Sequence, residues 1–286
     1  MKRLRQRLEA VGARLVWGLF AALPLDAASA LGGALGRWVG PRLGGVNRVA
    51  RRNLARAFPE MSPAAVETTI RAMWDNIGRV AAEFPHLERI ARERVELVGA
   101  DHIDRLRDDG RPGIFIAGHL ANWEVNGAVA LARGLPLHLI YRAANNPWVE
   151  DLYRKGRRAA SGAMIPKGPE GARLALKALR DGHHLGMLVD QKMNDGVPVP
   201  FFGRDAMTAP AVAQFATRFD CPLVAARVER LGGARFRVTM TPLDFPHTGD
   251  THADNLRLLT RVNALFESWI RERPAEWLWV HRRWPE

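Results

Sequence analysis

The segment Gly118-His119-Leu120-Ala121-Asn122-Trp123-Glu124 combines a histidine with a glutamate five positions later. An imidazole can remove the proton from a hydroxyl, and a carboxylate bonded to its other nitrogen fixes the tautomer and stabilises the imidazolium. Residues five apart differ by about 140° in direction on an ideal helix. The two side chains can therefore meet only if His119 lies in a turn before a helix, which Gly118 permits. The segment predicts His119 and Glu124 as catalytic residues.

The spacing alone is weak support, because a histidine and a glutamate often occur at a given separation by chance. The simpler alternative is a histidine that caps a helix beside a solvated glutamate. A zinc site fits less well, since a zinc-binding helix carries two histidines four positions apart with a glutamate between them. We therefore expect neither a metal nor a bound cofactor, and the functional interpretation depends on the surrounding motifs.

From about residue 95, short apolar runs alternate with helical stretches and are separated by Gly, Pro, Asn and Asp. This alternation is typical of βαβ units and predicts one α/β sandwich. The predicted strands are 113–117, 137–141, 163–165, 185–189, 223–228 and 236–241. The predicted helices are 120–133, 147–160, 170–181, 209–219 and 255–272. His119 then falls at the end of a strand, where open α/β sheets place their ligand crevices.

Polar and basic side chains follow or precede several predicted strand ends. Arginine suits bidentate contact with phosphate and lysine acts as a point charge, so Arg142, Arg157 and Lys167 could line one anion-binding crevice. For any one of them a solvated surface charge is the alternative, and their shared placement favours the site. The predicted substrate-binding residues are Asn122, Arg142, Asn145, Asn146, Arg157, Lys167, Asp190, Gln191 and Lys192.

Two aromatic-rich segments lie further along the chain. Residues 197–203 read Val-Pro-Val-Pro-Phe-Phe-Gly, which indicates a fixed apolar loop. The loop could form one wall of a groove for an acyl chain, or it could simply cover the core. The aromatic residues of the segment 277–284 are expected to pack in the core and at an interface rather than to stack on a nucleotide.

Composition indicates a folded globular chain with an anionic partner. The 286 residues are 47% hydrophobic and 25% charged, which is enough for a sizeable core. The net charge is +12, and residues 1–52 carry ten Lys and Arg against Glu9 and Asp26. The partner could be nucleic acid, anionic lipid or a phosphorylated substrate. The single cysteine, Cys221, excludes an internal disulfide framework and fits a cytosol-facing protein.

The basic N-terminal region flanks two apolar stretches, 15–25 and 27–36, which are separated by Asp26. Neither reaches the roughly 20 apolar residues of a spanning helix. Basic residues beside short apolar helices with Trp17 and Trp38 favour a segment that lies in the membrane interface. The alternatives are a helical hairpin packed on the domain and, less well supported, a secretory signal peptide.

A helix over 63–92 is predicted after this region. Ser62 can cap it, a proline occupies its first turn, and apolar residues follow at helical spacing. The chain therefore divides into a helical membrane-interface region, 1–60, and a second domain, 61–286, that carries the His119 segment and the predicted sheet.

The motifs together resemble the lipid A late acyltransferases. The stretch from His119 to Glu124, with Asn122 and Trp123 inside it, looks like the family's His-x4-Asp/Glu motif. The other matching motifs, in the family's order, are Arg52-Asn53-Leu54, Ala57-Phe58-Pro59, Asn145-Asn146-Pro147, Gly156-Arg157, Asp190-Gln191 and Val199-Pro200-Phe201-Phe202-Gly203. The resemblance covers roughly residues 48 to 284, although the wider glycerolipid acyltransferases share the first motif.

This resemblance implies a mixed sheet flanked by helices and transfer of a fatty acyl group to a lipid A precursor in lipopolysaccharide biosynthesis. The donor would be acyl carrier protein or, less often, coenzyme A, and the reaction would take place at the cytoplasmic face of the inner membrane. His119 would be the general base and Glu124 its partner, while Arg157 would hold phosphate or help with the oxyanion. The family often has a second arginine two places later. Here that position is Ala159, so its role does not carry over to this chain.

Two rival functions remain open at this point. An acyltransferase of the same fold could act on another membrane lipid, such as a mannosylated phosphatidylinositol or an ornithine lipid. Alternatively, the chain could be a basic peripheral binder of membranes or nucleic acid in which His119 is structural. The motif set favours acyl transfer with anionic membrane lipid, rather than nucleic acid, as the partner.

Overall fold

The computed structural model describes residues 2–158, 161–245 and 248–285. The α-helices in this part of the chain are α1 (Lys2–Ala22), α2 (Leu25–Val39), α3 (Gly44–Ala57), α4 (Pro63–Glu83), α5 (Leu87–Glu93), α6 (Ala100–Asp108), α7 (Val125–Ala132), α8 (Pro147–Arg157), α9 (Pro169–Arg180), α10 (Ala211–Phe219) and α11 (Thr251–Glu272). The strands are β1 (Val95–Val98), β2 (Ile114–Ala117), β3 (Leu137–Tyr141), β4 (Met164–Pro166), β5 (His184–Leu188), β6 (Lys192–Phe201), β7 (Arg204–Thr208), β8 (Leu223–Gly232) and β9 (Arg235–Pro242).

Seven strands form one sheet in the order β1-β9-β8-β2-β5-β3-β4. Neighbouring strands are parallel except β8 and β9, which form an antiparallel hairpin. The predicted α/β class with a mixed, helix-flanked sheet is confirmed. The remaining strands, β6 and β7, pair as a separate antiparallel ribbon.

The central strand β2 shows why this sheet forms. All four of its residues are apolar and buried, which is typical of a strand covered on both faces. Alternate side chains of a strand point to opposite faces. Accordingly Ile114 and Ile116 belong to one hydrophobic core, with Phe266 of α11, whereas Phe115 and Ala117 belong to a second core with Val129 of α7.

The six predicted strands are observed with small shifts at their ends, and the predicted cap of Ser62 is confirmed because its Oγ accepts the Ala65 N–H at 3.3 Å. The predicted helix 63–92 is interrupted at the 3₁₀ turn Phe84–His86, since Pro85 lacks the N–H that a continuous helix needs. The predicted helix 120–133 begins only at Val125. The last two residues predicted for helix 147–160 lie outside the described residues.

The prediction of a loop over 197–203 is wrong, because most of this segment forms the end of β6. Pro198 and Pro200 are compatible with this strand, since β6 pairs only with β7 among the described residues and its other edge needs no donor. Strand β1 was not predicted from the sequence.

The first helices pack on α4. Gly32 and Gly36 of α2 approach Gly78 and Trp74 of α4 so closely that no Cβ would fit between the two backbones. The opposite faces of α1 and α2 expose apolar side chains, namely Leu4, Leu8, Val11, Leu15, Leu19, Leu31, Leu35 and Trp38. Within the described residues, every helix is too short or too polar to cross a membrane.

Candidate active site

The turn between β2 and α7 positions His119. Its backbone is unusual because Ala121 has a φ of 46°, a region that residues other than glycine rarely adopt. The turn is held from two sides: the Ala121 N–H donates to the Glu276 carbonyl at 3.0 Å, and the Asn76 amide donates to the Ala121 carbonyl at 2.9 Å. His119 thus precedes the helix, as the sequence predicted.

The register of the sheet places Asp190 beside His119. Ala117 at the end of β2 pairs with Leu188 at the end of β5 in parallel. Because both strands leave the sheet at the same edge, the residues two positions further on, His119 and Asp190, also become neighbours. The side chains meet directly: His119 Nδ1 lies 2.7 Å from Asp190 Oδ1, and the His119 backbone N–H donates to Oδ2 at 2.8 Å.

This contact corrects the predicted partner of the imidazole from Glu124 to Asp190. An ionised carboxylate only accepts hydrogen bonds, so Nδ1 carries the proton and Nε2 is left with its lone pair. Nε2 lies 3.3 Å from the amide nitrogen of Gln191. Burial by itself would raise the pKa of the Asp190 carboxyl, but the neighbouring His119 outweighs it and holds that pKa well below its usual range.

Glu124 instead forms a buried ion pair with Arg157 of α8. The guanidinium donates from Nε to Oε2 at 2.9 Å and from NH2 to Oε1 at 2.5 Å. Trp123 Nε1 also donates to Oε1, at 3.1 Å. A buried carboxylate needs a charged or donating partner, and Arg157 provides one through two hydrogen bonds. The spacing of His119 and Glu124 in the sequence does not indicate this partner.

A second buried carboxylate, Glu83 of α4, braces the same turn. It is fully buried and accepts from Asn122 Nδ2 at 2.9 Å, from Ser29 Oγ at 2.6 Å and from two nitrogens of Arg230. Asn122 also accepts the Glu124 N–H, at 3.3 Å. No sequence motif pointed to Glu83, because its partners Ser29, Asn122 and Arg230 come from three separate parts of the chain.

The predicted substrate-binding residues divide into two groups. Asn122, Asn146 and Asp190 are buried and bonded within the protein and do not line the cavity described below, so they support the site rather than face its contents. Asn146, for example, caps α8 by accepting from Trp148 N at 3.1 Å and donates to the Gln6 carbonyl at 2.8 Å. The predicted residues that line this cavity are Arg142, Arg157, Lys167 and Gln191, whereas Asn145 and Lys192 are not among its lining.

A cavity of about 380 Å³ begins at His119 and extends between the sheet and α7. Its polar side carries His119, Glu124, Arg157 and Gln191, with the exposed Arg142 and Lys167 at the opening. Its buried inner wall is apolar and includes Phe115, Ala117, Leu137, Leu139, Ala226 and Met240. An imidazole paired with a carboxylate therefore stands beside a cleft whose inner wall is apolar.

Other chemistries find less support in this site. No group of three His, Cys, Asp or Glu side chains in residues 2–158, 161–245 and 248–285 stands close enough together to hold a metal ion. The thiol of Cys221 is buried and lines a different cavity, between the start of β8 and the end of β9. The fold and the cavity thus define an α/β protein with a buried His–Asp pair beside a largely apolar cavity.

Comparisons with known proteins show the family to which the chain belongs. Residues 4–286 match the model of the bacterial lipid A biosynthesis acyltransferases. The chain belongs to this family and is an O-acyltransferase.

Several relatives match over nearly their whole length. A lipid A biosynthesis palmitoleoyltransferase of Escherichia coli (strain K12) is 25% identical over 95% of this chain and 89% of its own. A lipid A biosynthesis lauroyltransferase of the same organism is 24% identical over 96% of this chain and 90% of its own. A phosphatidylinositol mannoside acyltransferase of Mycolicibacterium smegmatis is 25% identical over 94% of this chain and 88% of its own.

Proposed function

We propose that the protein transfers a fatty acyl group from an acyl thioester, carried by acyl carrier protein, to a hydroxyl of a lipid A precursor in lipopolysaccharide biosynthesis. The observation that carries the proposal is the placement of His119, whose imidazole lines the cavity while Asp190 lies 2.7 Å from its Nδ1. The names of the relatives support the acceptor, and coenzyme A is the alternative donor carrier.

The reaction needs a proton acceptor but no covalent enzyme intermediate, because a thioester is already activated. His119 Nε2 removes the hydroxyl proton as the oxygen attacks the thioester carbonyl. Asp190 stabilises the imidazolium that forms. Collapse of the tetrahedral intermediate breaks the C–S bond, and the leaving thiolate takes the proton back from Nε2, so the base is regenerated.

The developing oxyanion needs a donor close to the reacting atoms. The helix-start N–H groups of Val125 and Asn126 are already bonded to the carbonyls of Asn122 and Trp123. The amide of Gln191, 3.3 Å from His119 Nε2, faces the reacting nitrogen. We therefore assign the oxyanion contact to Gln191 and give the Glu124–Arg157 pair a supporting role in the wall behind it.

The opening of the cavity suits an anionic, amphipathic substrate. No ion pair joins Arg142 or Lys167 to a carboxylate in the part of the chain that the structure describes, so both cations remain for a substrate phosphate or an acidic carrier. The apolar inner wall accommodates the acyl chain.

The N-terminal helices supply access to a substrate that stays in the membrane. The apolar outer faces of α1 and α2 lie next to basic residues, which is the composition of an interfacial segment. Helix α1 also packs on α8, the helix that carries Arg157, since Asn146 bonds to Gln6 and Glu9. Membrane contact through these faces would bring the cavity to the cytoplasmic face of the inner membrane as a peripheral enzyme.

A reconstituted assay tests the reaction. The purified protein is incubated with acyl carrier protein or coenzyme A thioesters and a lipid A precursor in vesicles, and the products are identified by mass spectrometry. We expect a gain of one acyl chain, with loss of turnover in His119→Ala. Full turnover by His119→Ala, or no product with any thioester, would contradict the proposal.

Membrane contact has its own test and control. Leu8→Glu with Leu15→Glu should abolish cosedimentation with vesicles that contain anionic lipid, because these leucines are 64% and 69% exposed on α1. Leu174→Glu with Leu256→Glu, on α9 and α11, replaces two leucines that are 39% and 41% exposed on other helices and should leave cosedimentation intact. Equal binding by both pairs of variants would refute the assignment of this face.

A second acceptor class is supported by one observation, the mycobacterial relative that acylates a phosphatidylinositol mannoside. His119 and Asp190 would act on that hydroxyl in the same way. The assay distinguishes the two classes when both acceptors compete in the same vesicles, because their products differ in mass.

A further inference from the structure

The C-terminal segment 277–284 contributes an indole to the candidate active site. Trp277 is fully buried, and its Nε1 donates a hydrogen bond of 2.8 Å to Asp190 Oδ2. Asp190 Oδ1 is bonded to the imidazole, and Oδ2 also accepts the His119 backbone N–H. The indole thus adds a donor from outside His119 that helps fix which way the carboxylate group faces.

The backbone of the same segment holds the main chain of His119. The Leu278 N–H donates to the His119 carbonyl at 3.2 Å, and Leu120 forms an isolated antiparallel bridge with Trp277. The segment therefore holds the His119 side chain indirectly, through Asp190, and the His119 backbone directly, through the hydrogen bond from Leu278. A buried indole N–H needs an acceptor, but core packing alone does not require that this acceptor be Asp190.

From these contacts we infer that Trp277 is a positioning residue of the acyl-transfer site, whose N–H holds Asp190 in the orientation that receives the imidazole. This inference rests on the proposed general-base role of His119. It extends that role to a residue from the far end of the chain, where aromatic packing alone was expected.

The hydrogen bond also affects how charge is shared. A hydrogen-bond donor to a carboxylate stabilises its negative charge and weakens the attraction of that charge for the protonated imidazole. Without the indole N–H, Asp190 would favour the protonated ring more strongly, and a protonated ring cannot act as a base. The other charged or titratable groups near Asp190 are Lys167, His281 and Arg283, and these stay unchanged in the variants below.

Trp277→Phe tests this role because it keeps most of the aromatic volume and removes the donor. Trp279→Phe is the matched control: it is equally buried and lies two residues away, but its N–H donates to the Pro274 carbonyl rather than to Asp190. The measurements are kcat and KM across pH together with the thermal midpoint of each folded variant.

For Trp277→Phe we expect kcat to fall about tenfold to a hundredfold at the plateau, and the acidic limb of kcat/KM to move up by about half to one pH unit. KM for the thioester should change little, because Trp277 does not line the cavity. Trp279→Phe should keep the acidic limb in place and lose no more than about threefold in kcat. Coincident pH profiles for the two variants would overturn the inference.

Two further measurements keep the outcomes distinct. If Trp277→Phe does not fold, site-specific replacement of Trp277 by benzothienylalanine substitutes sulfur for the N–H with almost no change of shape, and the same limb shift is expected. An unshifted limb with this residue would again overturn the inference. Activity in His119→Ala contradicts the proposed function itself, whereas an inactive His119→Ala with a normal Trp277→Phe contradicts only the role of Trp277.

Discussion

Two buried carboxylates next to the same cavity, Asp190 and Glu124, are held by partners of different chemistry. They are 1% and 6% exposed, so burial does not distinguish them. Asp190 bonds to the Nδ1 of His119, an imidazole with a second nitrogen that can accept a proton. Both carboxylate oxygens of Glu124 accept hydrogen bonds from the Arg157 guanidinium, one from Nε and one from NH2, and the guanidinium stays protonated.

The partner therefore decides what each carboxylate can do. The Asp190 pair can pass through a cycle of protonation, because the ring has a second nitrogen at the cavity. The Glu124 pair is a fixed pair of opposite charges, bonded bidentately and unable to relay a proton. From this contrast we expect substitutions at Asp190 to change the rate, and substitutions at Glu124 to change mainly the stability.

The largest effect is expected for Asp190→Asn. The amide keeps the shape of the side chain but loses the charge that stabilises the imidazolium and selects the tautomer, so kcat should fall about a thousandfold. The measurement is single-turnover acyl transfer per folded molecule, with the folded fraction taken from near-ultraviolet circular dichroism. Glu124→Gln is the control and should lose less than about thirtyfold on the same scale. A greater rate loss for Glu124→Gln than for Asp190→Asn would reverse the assignment.

The next effect concerns stability. Glu124→Gln leaves the buried guanidinium of Arg157 without its counter-charge, which should cost about 3 kcal/mol of unfolding free energy. Combining Glu124→Gln with Arg157→Met removes both charges and should recover most of this loss. Urea denaturation at neutral pH measures all three proteins. A double variant that is less stable than Glu124→Gln alone would show that the ion pair is not the source of the loss.

Much of the fold could be read from the sequence, because strands such as β2 and β3 are short apolar runs between turn residues. The turn that carries His119 also followed from local rules, since the predicted strand ends at residue 117, the predicted helix begins at residue 120 and Gly118 lies between them. Strand β1 was missed because its four residues, Val-Glu-Leu-Val, follow a helix with little punctuation.

The partner of His119 could not be identified from the local sequence, because it depends on how distant strands are arranged in the sheet. Both strands that flank the site were predicted, and Asp190 was identified at the end of one of them. Only the order of the strands shows that β5 lies next to β2, and only the register places Asp190 opposite His119. The same limit applies to Trp277 and Glu83, whose contacts join residues from distant parts of the chain.

A smaller effect is expected at the opening of the cavity, which both carboxylate pairs share. Arg142→Ala should raise KM for a phosphorylated substrate about tenfold at low salt, and the difference from wild type should shrink as salt screens the contact. Arg180→Ala is the control because it removes an equal, exposed charge from the end of α9, near the start of β5 and thus the opposite edge of the sheet. A salt-independent change of KM, or an equal change in Arg180→Ala, would contradict this role.

The smallest effect concerns His281, a second imidazole near Asp190 that lacks the bond made by His119. Both of its ring nitrogens are buried without a hydrogen-bond partner among the described residues, and burial lowers the pKa of His281 to about 4. Between the ordinary value of about 6.5 and this value, the unfolded chain binds a proton that the folded protein does not. Stability should therefore fall as the pH drops through this window.

His281→Phe removes this titration and an unsatisfied polar group while keeping a ring of similar shape. At pH 7 its unfolding free energy should be within about 1 kcal/mol of wild type, and at pH 4.5 it should exceed wild type by about 2 kcal/mol. Urea denaturation at the two pH values measures the difference, in which the titration of carboxyl groups cancels. Parallel losses of stability in both proteins would mean that His281 is protonated in the folded state, and the surroundings of Asp190 would then be more polar than those of Glu124.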